Sequence, residues 1–403
     1  MNDLLWKAIH HFTGPGNLSL RPSGNDCDAS NPAPSVRVSL NPSRRVRRDL
    51  ARRGYSTAHC FLTLPSLTSP RWFFPLEDGQ SRQAGLEIYK PYAKGARLLK
   101  GLLTAMVGAR FPGLGLPRVL VASRSVLPLE DLVREVTGEC QPVFALSLST
   151  ETRFQKLSVQ VMRPGGEILG YIKLPLTDAA AERVRGEAKI LNRLAAFPTL
   201  RSHIPQVLYS GDWGGGAILF QTAGPSRSGP VQLDRLCGEF LRLLWAVHPT
   251  TQSGHALWEK VATHWRKAEP GFDSPWRGLG QAALAAARWE LDGAMIPCGV
   301  AHGDFAPWNT RATNQGLYVF DWEYASWEAP ILWDIFHFRT QVAALLDKKD
   351  DKYVSLDRYS GERASFLLYL LSSACRLVDE ESSDRNAGLE CRRQLLRKQL
   401  GGH

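Results

Sequence analysis

Apolar and polar residues alternate, in the manner of half-buried strands, in three successive segments between residues 142 and 175. These are Phe144-Ala-Leu-Ser-Leu-Ser, Lys156-Leu-Ser-Val-Gln-Val-Met and Ile168-Leu-Gly-Tyr-Ile-Lys-Leu. The turn Arg163-Pro-Gly-Gly-Glu makes a hairpin of the last two. A helix is predicted over 179–196 with Glu187 in its middle, then a strand at Ala217-Ile-Leu-Phe-Gln that ends at Thr222-Ala-Gly-Pro. After Gln232 the pattern is mainly helical, apart from residues 298–325. Upstream, Cys60-Phe-Leu-Thr-Leu, Arg71-Trp-Phe-Phe and Leu86-Glu-Ile-Tyr predict short strands, while 93–107 and 129–137 predict helices. Residues 12–43 are rich in Gly, Pro, Ser and Asn and predict a mobile segment. The pattern divides the chain into a flexible, arginine-rich segment 1–54, an accessory α/β region 55–141 and a functional domain 142–403. Within that domain 142–223 is a small antiparallel-sheet lobe and 224–403 a larger helical lobe. The class is α+β with an N-terminal extension, and residues 1–43 are expected to be dispensable for ligand binding.

Composition changes this picture little. A hydrophobic fraction of 44% permits a sizeable core. The net charge of +10 would suit a polyanionic partner, but Arg44, Arg45, Arg47, Arg48, Arg52 and Arg53 crowd one short segment. That reads as a solvated helix face on a nearly neutral body, which disfavours nucleic acid as a partner. Seven cysteines with no Cys-x-x-Cys pair argue against a zinc site or a disulfide framework and fit reduced thiols. The start of the chain lacks a basic patch followed by an apolar run, and no segment reaches the ~20 apolar residues that span a bilayer. The expectation is a cytoplasmic protein with no membrane partner.

The chemistry is concentrated in Ala301-His-Gly-Asp-Phe-Ala-Pro-Trp-Asn-Thr310. His302, Asp304 and Asn309 fit His-x-Asp-x-x-x-x-Asn, the catalytic-loop spacing of protein kinases. Such a loop lets a carboxylate face an attacking hydroxyl while an amide oxygen five residues on reaches a metal ion. Twelve residues beyond Asn309, the apolar run Leu317-Tyr-Val-Phe delivers Asp321 at its end. Asp304, Asn309 and Asp321 form a hard-oxygen set suited to Mg²⁺, and the lack of clustered cysteine or histidine argues against zinc.

With these motifs the chain resembles the aminoglycoside phosphotransferase and choline kinase superfamily, which has a protein-kinase-like fold. The resemblance rests on His302-Gly-Asp304 to Asn309, on Asp321-Trp-Glu323 and on Trp333-Asp-Ile-Phe336. It covers roughly 142–403. It implies a two-lobed fold with ATP or GTP in the cleft, Asp304 as catalytic base or hydroxyl-orienting group, and Asn309 and Asp321 as Mg²⁺ ligands. It assigns Lys173 to the α/β-phosphates, Glu187 to holding Lys173, and Gln221, Thr222 and Ala223 to a hinge whose backbone meets the base. Asp334 would brace the catalytic loop, and His302 would be a loop brace rather than a proton carrier. The phosphate loop, Ser147-Leu-Ser-Thr-Glu-Thr-Arg153, departs from the kinase pattern because it has no glycine; hydroxyls of Ser149 or Thr150 would substitute.

The implied activity is phosphate transfer to the hydroxyl of a small molecule: an amino alcohol, a sugar or an aminoglycoside-like compound. Trp308, Trp322, Tyr324, Trp327 and Trp333, with Glu323 and Glu328 among them, would suit a cationic acceptor, although tryptophans there also suit a core. His248, His264 and His337 read as ordinary helix residues. A protein kinase is disfavoured because His302-Gly-Asp304 replaces His-Arg-Asp and no Ala-Pro-Glu follows Asp321. A nucleotide-binding pseudokinase or scaffold is disfavoured by the intact Asp304, Asn309 and Asp321.

Overall fold

The computed structural model describes residues 3–14, 35–89, 116–346, 362–380 and 385–401, together with 98, 100, 101, 104 and 105. The helix expected over 93–107 and residues 15–34 of the expected mobile segment lie mostly or wholly outside the described residues. The chain divides into two units, one of residues 1–188 and 206–223, the other of 189–205 and 224–403.

The first unit is built on one nine-stranded sheet, antiparallel throughout. Its strands are β1 (Val36–Leu40), β2 (Thr57–Pro65), β3 (Pro70–Pro75), β4 (Arg118–Ser123), β5 (Val143–Leu148), β6 (Lys156–Met162), β7 (Ile168–Pro175), β8 (Val207–Gly211) and β9 (Ile218–Thr222). They lie in the order β1-β4-β2-β3-β5-β6-β7-β9-β8. The three alternating segments are thus the neighbours β5, β6 and β7. The expected boundary at residue 142 is not a break in the sheet, because Trp72 and Phe73 of β3 pair with Ser147 and Leu146 of β5.

One face of this sheet carries Phe61, Phe73, Phe144, Leu146, Val159, Ile172 and Phe220 in a single core cluster. Helix α1 (Asp3–Thr13) adds Leu5, Ala8, Ile9 and Phe12 to it, at the spacing of one helical face. The Phe12 ring meets Phe144 and Phe61 edge-on, with centroids 5.3 and 5.7 Å away. This corrects the expectation of a flexible 1–54 wherever those residues are described. The helix lies ahead of the turn-rich stretch, in the amphipathic run Asp3-Leu-Leu-Trp-Lys-Ala-Ile-His-His-Phe-Thr13, and its partners lie far along the chain. Helix α2 (Arg44–Arg52) is capped by Ser43 and packs Leu50 inward, while its arginines are exposed as the charge pattern implied.

Where Leu86-Glu-Ile-Tyr predicted a strand, the chain instead forms a single 3₁₀ turn, Leu86–Ile88. Asp78 accepts from the Gln80 and Ser81 amides and starts helix α3 (Gly79–Gly85), and the helical backbone carries through Gly85 into that turn. Apolar composition without a neighbouring ladder does not make a strand. Helix α4 (Pro128–Thr137) contributes Leu129 and Val133 to the same core as α1. Helix α5 (Asp178–Ala195) follows β7.

The second unit is mainly helical, with α6 (Arg235–Trp245), α7 (Gly254–Ala268), α8 (Ser274–Glu290), α9 (Trp333–Leu345), α10 (Glu362–Glu380) and α11 (Arg385–Gln399). Its core gathers Trp265 of α7, Trp276 of α8, Phe336 of α9 and Phe366 and Leu370 of α10. Gly280 of α8 stands where the Trp265 ring lies against the helix, so a Cβ there would collide with the indole. A three-stranded sheet of β10 (Thr250–Ser253), β11 (Met295–Ala301) and β14 (Ser326–Pro330) and a hairpin of β12 (Thr310–Thr313) and β13 (Gly316–Val319) interrupt the helices. Among the described residues no helix is long and apolar enough to cross a membrane.

Candidate active site

Strand β11 delivers the loop that begins at His302, and the N-terminal turn of α9 receives it. Asp334, fully buried, accepts the backbone amides of His302 and Gly303, each at 2.8 Å. Burial pushes its carboxyl up, against the pull of His302 and the two amides. Gly303 has φ +77, and an added Cβ would run into the Tyr324 carbonyl oxygen, so only glycine fits. The buried His302 ring lies 3.0 Å through Nε2 from the Phe320 carbonyl, while its Nδ1 accepts the Asp304 amide at 3.2 Å. That pattern makes Nε2 the protonated atom and the ring a brace.

The β12–β13 hairpin has Asn309 just before its first strand and Asp321 two residues past its second. Thr310 pairs with Val319, and the Phe320 amide donates to the Asn309 carbonyl at 3.1 Å. Phe320 is thereby bonded through its amide to Asn309 and through its carbonyl to His302, and Asp321 follows directly. Asp321 holds a left-handed backbone, φ +70, which costs an ordinary residue on the order of 1–3 kcal/mol and aspartate less. Asn309 donates its amide nitrogen to both the carbonyl and Oδ2 of Asp304, each at 2.8 Å, so its amide oxygen is the atom left for a cation. Among the described residues no three His, Cys, Asp or Glu side chains gather as a metal site. Asn309 Oδ1 and the Asp321 carboxylate would be hard oxygen donors of the kind Mg²⁺ takes.

Asp304 has partners that sequence reasoning missed. Its Oδ1 accepts from His337 Nε2 at 2.8 Å and lies 3.9 Å from Arg376 Nη2. Burial alone would raise this carboxyl; the His337 hydrogen bond and the Arg376 guanidinium outweigh burial and hold it below the usual range. His337 is therefore not an ordinary helix residue. Burial pulls its pKa down to about 4, so the ring donates to Asp304 as a neutral group. One signal was legible: Asp334 and His337 stand three residues apart on α9 and so share a face. Arg376, which donates to the Gly303 carbonyl at 2.7 Å, gave no local signal.

In the first unit, Lys173 of β7 reaches Glu187 of α5, with both carboxylate oxygens 2.7 Å from Nζ. The two side chains are 8% and 0% exposed, which makes this a buried pair. Glu187→Gln keeps the shape and removes the charge. It is expected to destabilise the protein by about 1.5–3 kcal/mol, read as a lower denaturant midpoint; an unchanged midpoint would mean that the pair contributes nothing. Ser149 Oγ already accepts the Lys156 amide at 2.9 Å, and Thr150 Oγ1 accepts from Arg71 Nη2 at 3.2 Å. Thr222 exchanges hydrogen bonds with Gln206 through its amide and hydroxyl. Gln221 Oε1 is buried with no partner among the described residues. Ala223 is the last residue of the first unit.

The aromatic residues that would have boxed a cation are largely engaged. Trp322 is 1% exposed and donates to the Val319 carbonyl. Arg376 lies 4.5 Å over the Tyr324 ring and Arg193 lies 3.3 Å over Trp327. Trp333 donates to Ser365 and packs on Tyr369.

Residues 171–350 match the family model described as APH, the phosphotransferase enzyme family. The motifs around His302, Asp321 and Asp334 lie inside that stretch, so the superfamily resemblance read from them holds there. The strand run β5-β6-β7, then α5 and β9, then mainly helices, follows the order read from the sequence pattern, to which the structure adds β8. No curated protein matches the chain. Among solved structures, a thermostable mutant of aminoglycoside phosphotransferase APH(4)-Ia in ternary complex with ADP and hygromycin B is 16% identical, with a TM-score of 0.47 over 68% of this chain and 99% of that one. The GDP and kanamycin complex of APH(2")-IIIa is 14% identical, with a TM-score of 0.44 over 67% and 97%. Choline kinase from Cryptosporidium parvum Iowa II is 11% identical, with a TM-score of 0.45 over 67% and 94%.

Proposed function

We propose that the chain is an O-phosphotransferase that moves the γ-phosphate of ATP or GTP to the hydroxyl of a small molecule, with Mg²⁺. The observation that carries this reading is the Asp304 carboxylate, held on both oxygens by His337 and Asn309 on a loop braced by Asp334. Asp304 orients the acceptor hydroxyl and takes its proton as the new O–P bond forms and the β–γ bridging bond breaks, releasing the nucleoside diphosphate. Asn309 Oδ1 and Asp321 would hold Mg²⁺, which neutralises phosphate charge when bound. Lys173, fixed by Glu187, contacts the α/β-phosphates. Gln221 Oε1 is an acceptor suited to a base amino group beside Thr222 and Ala223. Ser149 and Thr150 retain hydroxyl protons that a phosphate oxygen could accept.

The acceptor we favour is a neutral polyol rather than a choline-like cation, because Tyr324 and Trp327 already carry guanidinium groups on their faces. The enzyme reading is tested by calorimetry with ATP and with GTP, each with and without Mg²⁺. Mg²⁺-dependent binding is expected for at least one. Its absence in well-folded protein would defeat the kinase reading. A screen of hydroxyl metabolites with labelled nucleotide then separates polyols from cations.

A further inference from the structure

We propose that His337 is a positioning residue for the Asp304 carboxylate, with Tyr369 fixing its tautomer and Arg376 clamping the loop that carries Asp304. This rests on the phosphotransfer reading above.

A carboxylate tethered through one oxygen still swings about its last torsion, which has broad minima. Asp304 is tethered through both: Oδ2 accepts from Asn309 and Oδ1 from His337, each at 2.8 Å. The lone pairs left on the two oxygens then point in fixed directions, as aiming an acceptor hydroxyl requires.

The His337 donor is itself fixed from behind. Its Nδ1 lies 3.1 Å from the Tyr369 hydroxyl and 3.4 Å from Arg376 Nη2. A guanidinium has donors and no acceptor, so Nδ1 cannot carry a proton facing it. Tyr369 therefore donates to Nδ1, and the one ring proton sits on Nε2, aimed at Asp304. Arg376 and Arg392 both act on the ring electrostatically against a positive charge.

Arg376 reaches the loop through its backbone, donating Nη1 to the Gly303 carbonyl at 2.7 Å. It is held in turn against the Tyr324 ring, whose hydroxyl donates to Glu380 at 3.0 Å. Two helices thus grip one loop. On α9, Asp334 takes the backbone amides and His337, one turn on, takes the side chain. On α10, Tyr369 and Arg376 lie two turns apart on one face.

The test uses full-length protein with Mg·ATP as the probe, comparing wild type with His337→Leu and His337→Gln. His337→Leu is expected to bind Mg·ATP like wild type but to turn it over about 10²-fold more slowly, the order expected for a displaced reacting group, with an unchanged nucleotide KM. Gln places an amide N–H where Nε2 stood, so His337→Gln should recover most of the loss. A merely structural histidine would lower thermal stability in both variants, and Gln would be no better than Leu. A readout independent of turnover is the ¹⁵N spectrum of the imidazole. Wild type should show the Nε2–H tautomer with slow proton exchange, and Asp304→Ala should accelerate that exchange. Wild-type turnover in His337→Leu, no rescue by Gln, or an Nδ1–H ring would each overturn the proposal. If wild type bound no Mg·ATP, the phosphotransfer reading would fall instead, and the tautomer measurement would still decide whether His337 holds Asp304.

Discussion

Asp304→Asn is expected to lose about 10²–10⁴-fold in turnover, the range of general-base and orienting effects, while Mg·nucleotide affinity stays close to that of wild type. The substitution keeps the size of the side chain and removes its charge and basicity. It also breaks a local balance. The carboxylate accepts on both oxygens, from Asn309 and from His337, and an amide has one accepting oxygen. Whichever way the Asn turns, one buried donor loses its acceptor, which adds about 1–3 kcal/mol of destabilisation. Turnover should therefore be compared at a temperature well below both melting transitions. Asp321→Asn is the contrasting variant. It should weaken Mg·nucleotide binding as well as rate, because its carboxylate is proposed as a metal ligand. Calorimetry and turnover measured side by side separate the two. Intact acceptor phosphorylation in Asp304→Asn would move the catalytic assignment elsewhere. Lost nucleotide binding in that variant would make Asp304 a metal or structural residue.

The proposed catalytic loop was legible as a motif because its residues are local. His302, Asp304, Asn309 and Asp321 lie within 20 residues, and the hairpin that joins them needs only the short apolar runs around Thr310 and Val319. Lys173 and Glu187 were legible for a similar reason, since one strand and the next helix carry them. What the pattern could not give is the second ring of partners around Asp304. His337 lies 33 residues from Asp304 and Arg376 lies 39 residues further on; helical spacing puts His337 on the face of Asp334, but what that face and Arg376 reach depends on how α9 and α10 pack. The tryptophans and Tyr324 were legible as a group but not in their use. Whether a ring face is open to a ligand or taken by a guanidinium is decided by Arg193 and Arg376, which arrive from other helices. Leu86-Glu-Ile-Tyr misled in the opposite direction, because a capped helix just before it set the backbone.

Removal of residues 1–43 is expected to collapse the first unit rather than to leave nucleotide binding intact, as the turn-rich composition of that segment had suggested. The deletion takes out Leu5, Ala8, Ile9, Phe12, Val36 and Val38, each 2% exposed or less. Burying a large aliphatic or aromatic side chain is worth roughly 1.5–3 kcal/mol, and whole-domain stabilities are about 5–15 kcal/mol, so the loss rivals the entire margin. The deletion also strips β1 from β4 and leaves a new sheet edge, a template for aggregation. A single change isolates the packing effect: Phe12→Ala removes the ring wedged between Phe61 and Phe144 and should cost about 3–5 kcal/mol. Denaturant melts of that variant and solubility and circular dichroism of a chain starting at Arg44 are the measurements. Loss of the phosphate contact proposed for Lys173 would then follow from unfolding, because β7 lies in the same sheet and its Ile172 and Leu174 share the core with Phe12. A truncated chain that stayed soluble, melted cooperatively at the wild-type temperature and bound Mg·nucleotide would show that α1 and β1 are passengers on a sheet that stands without them.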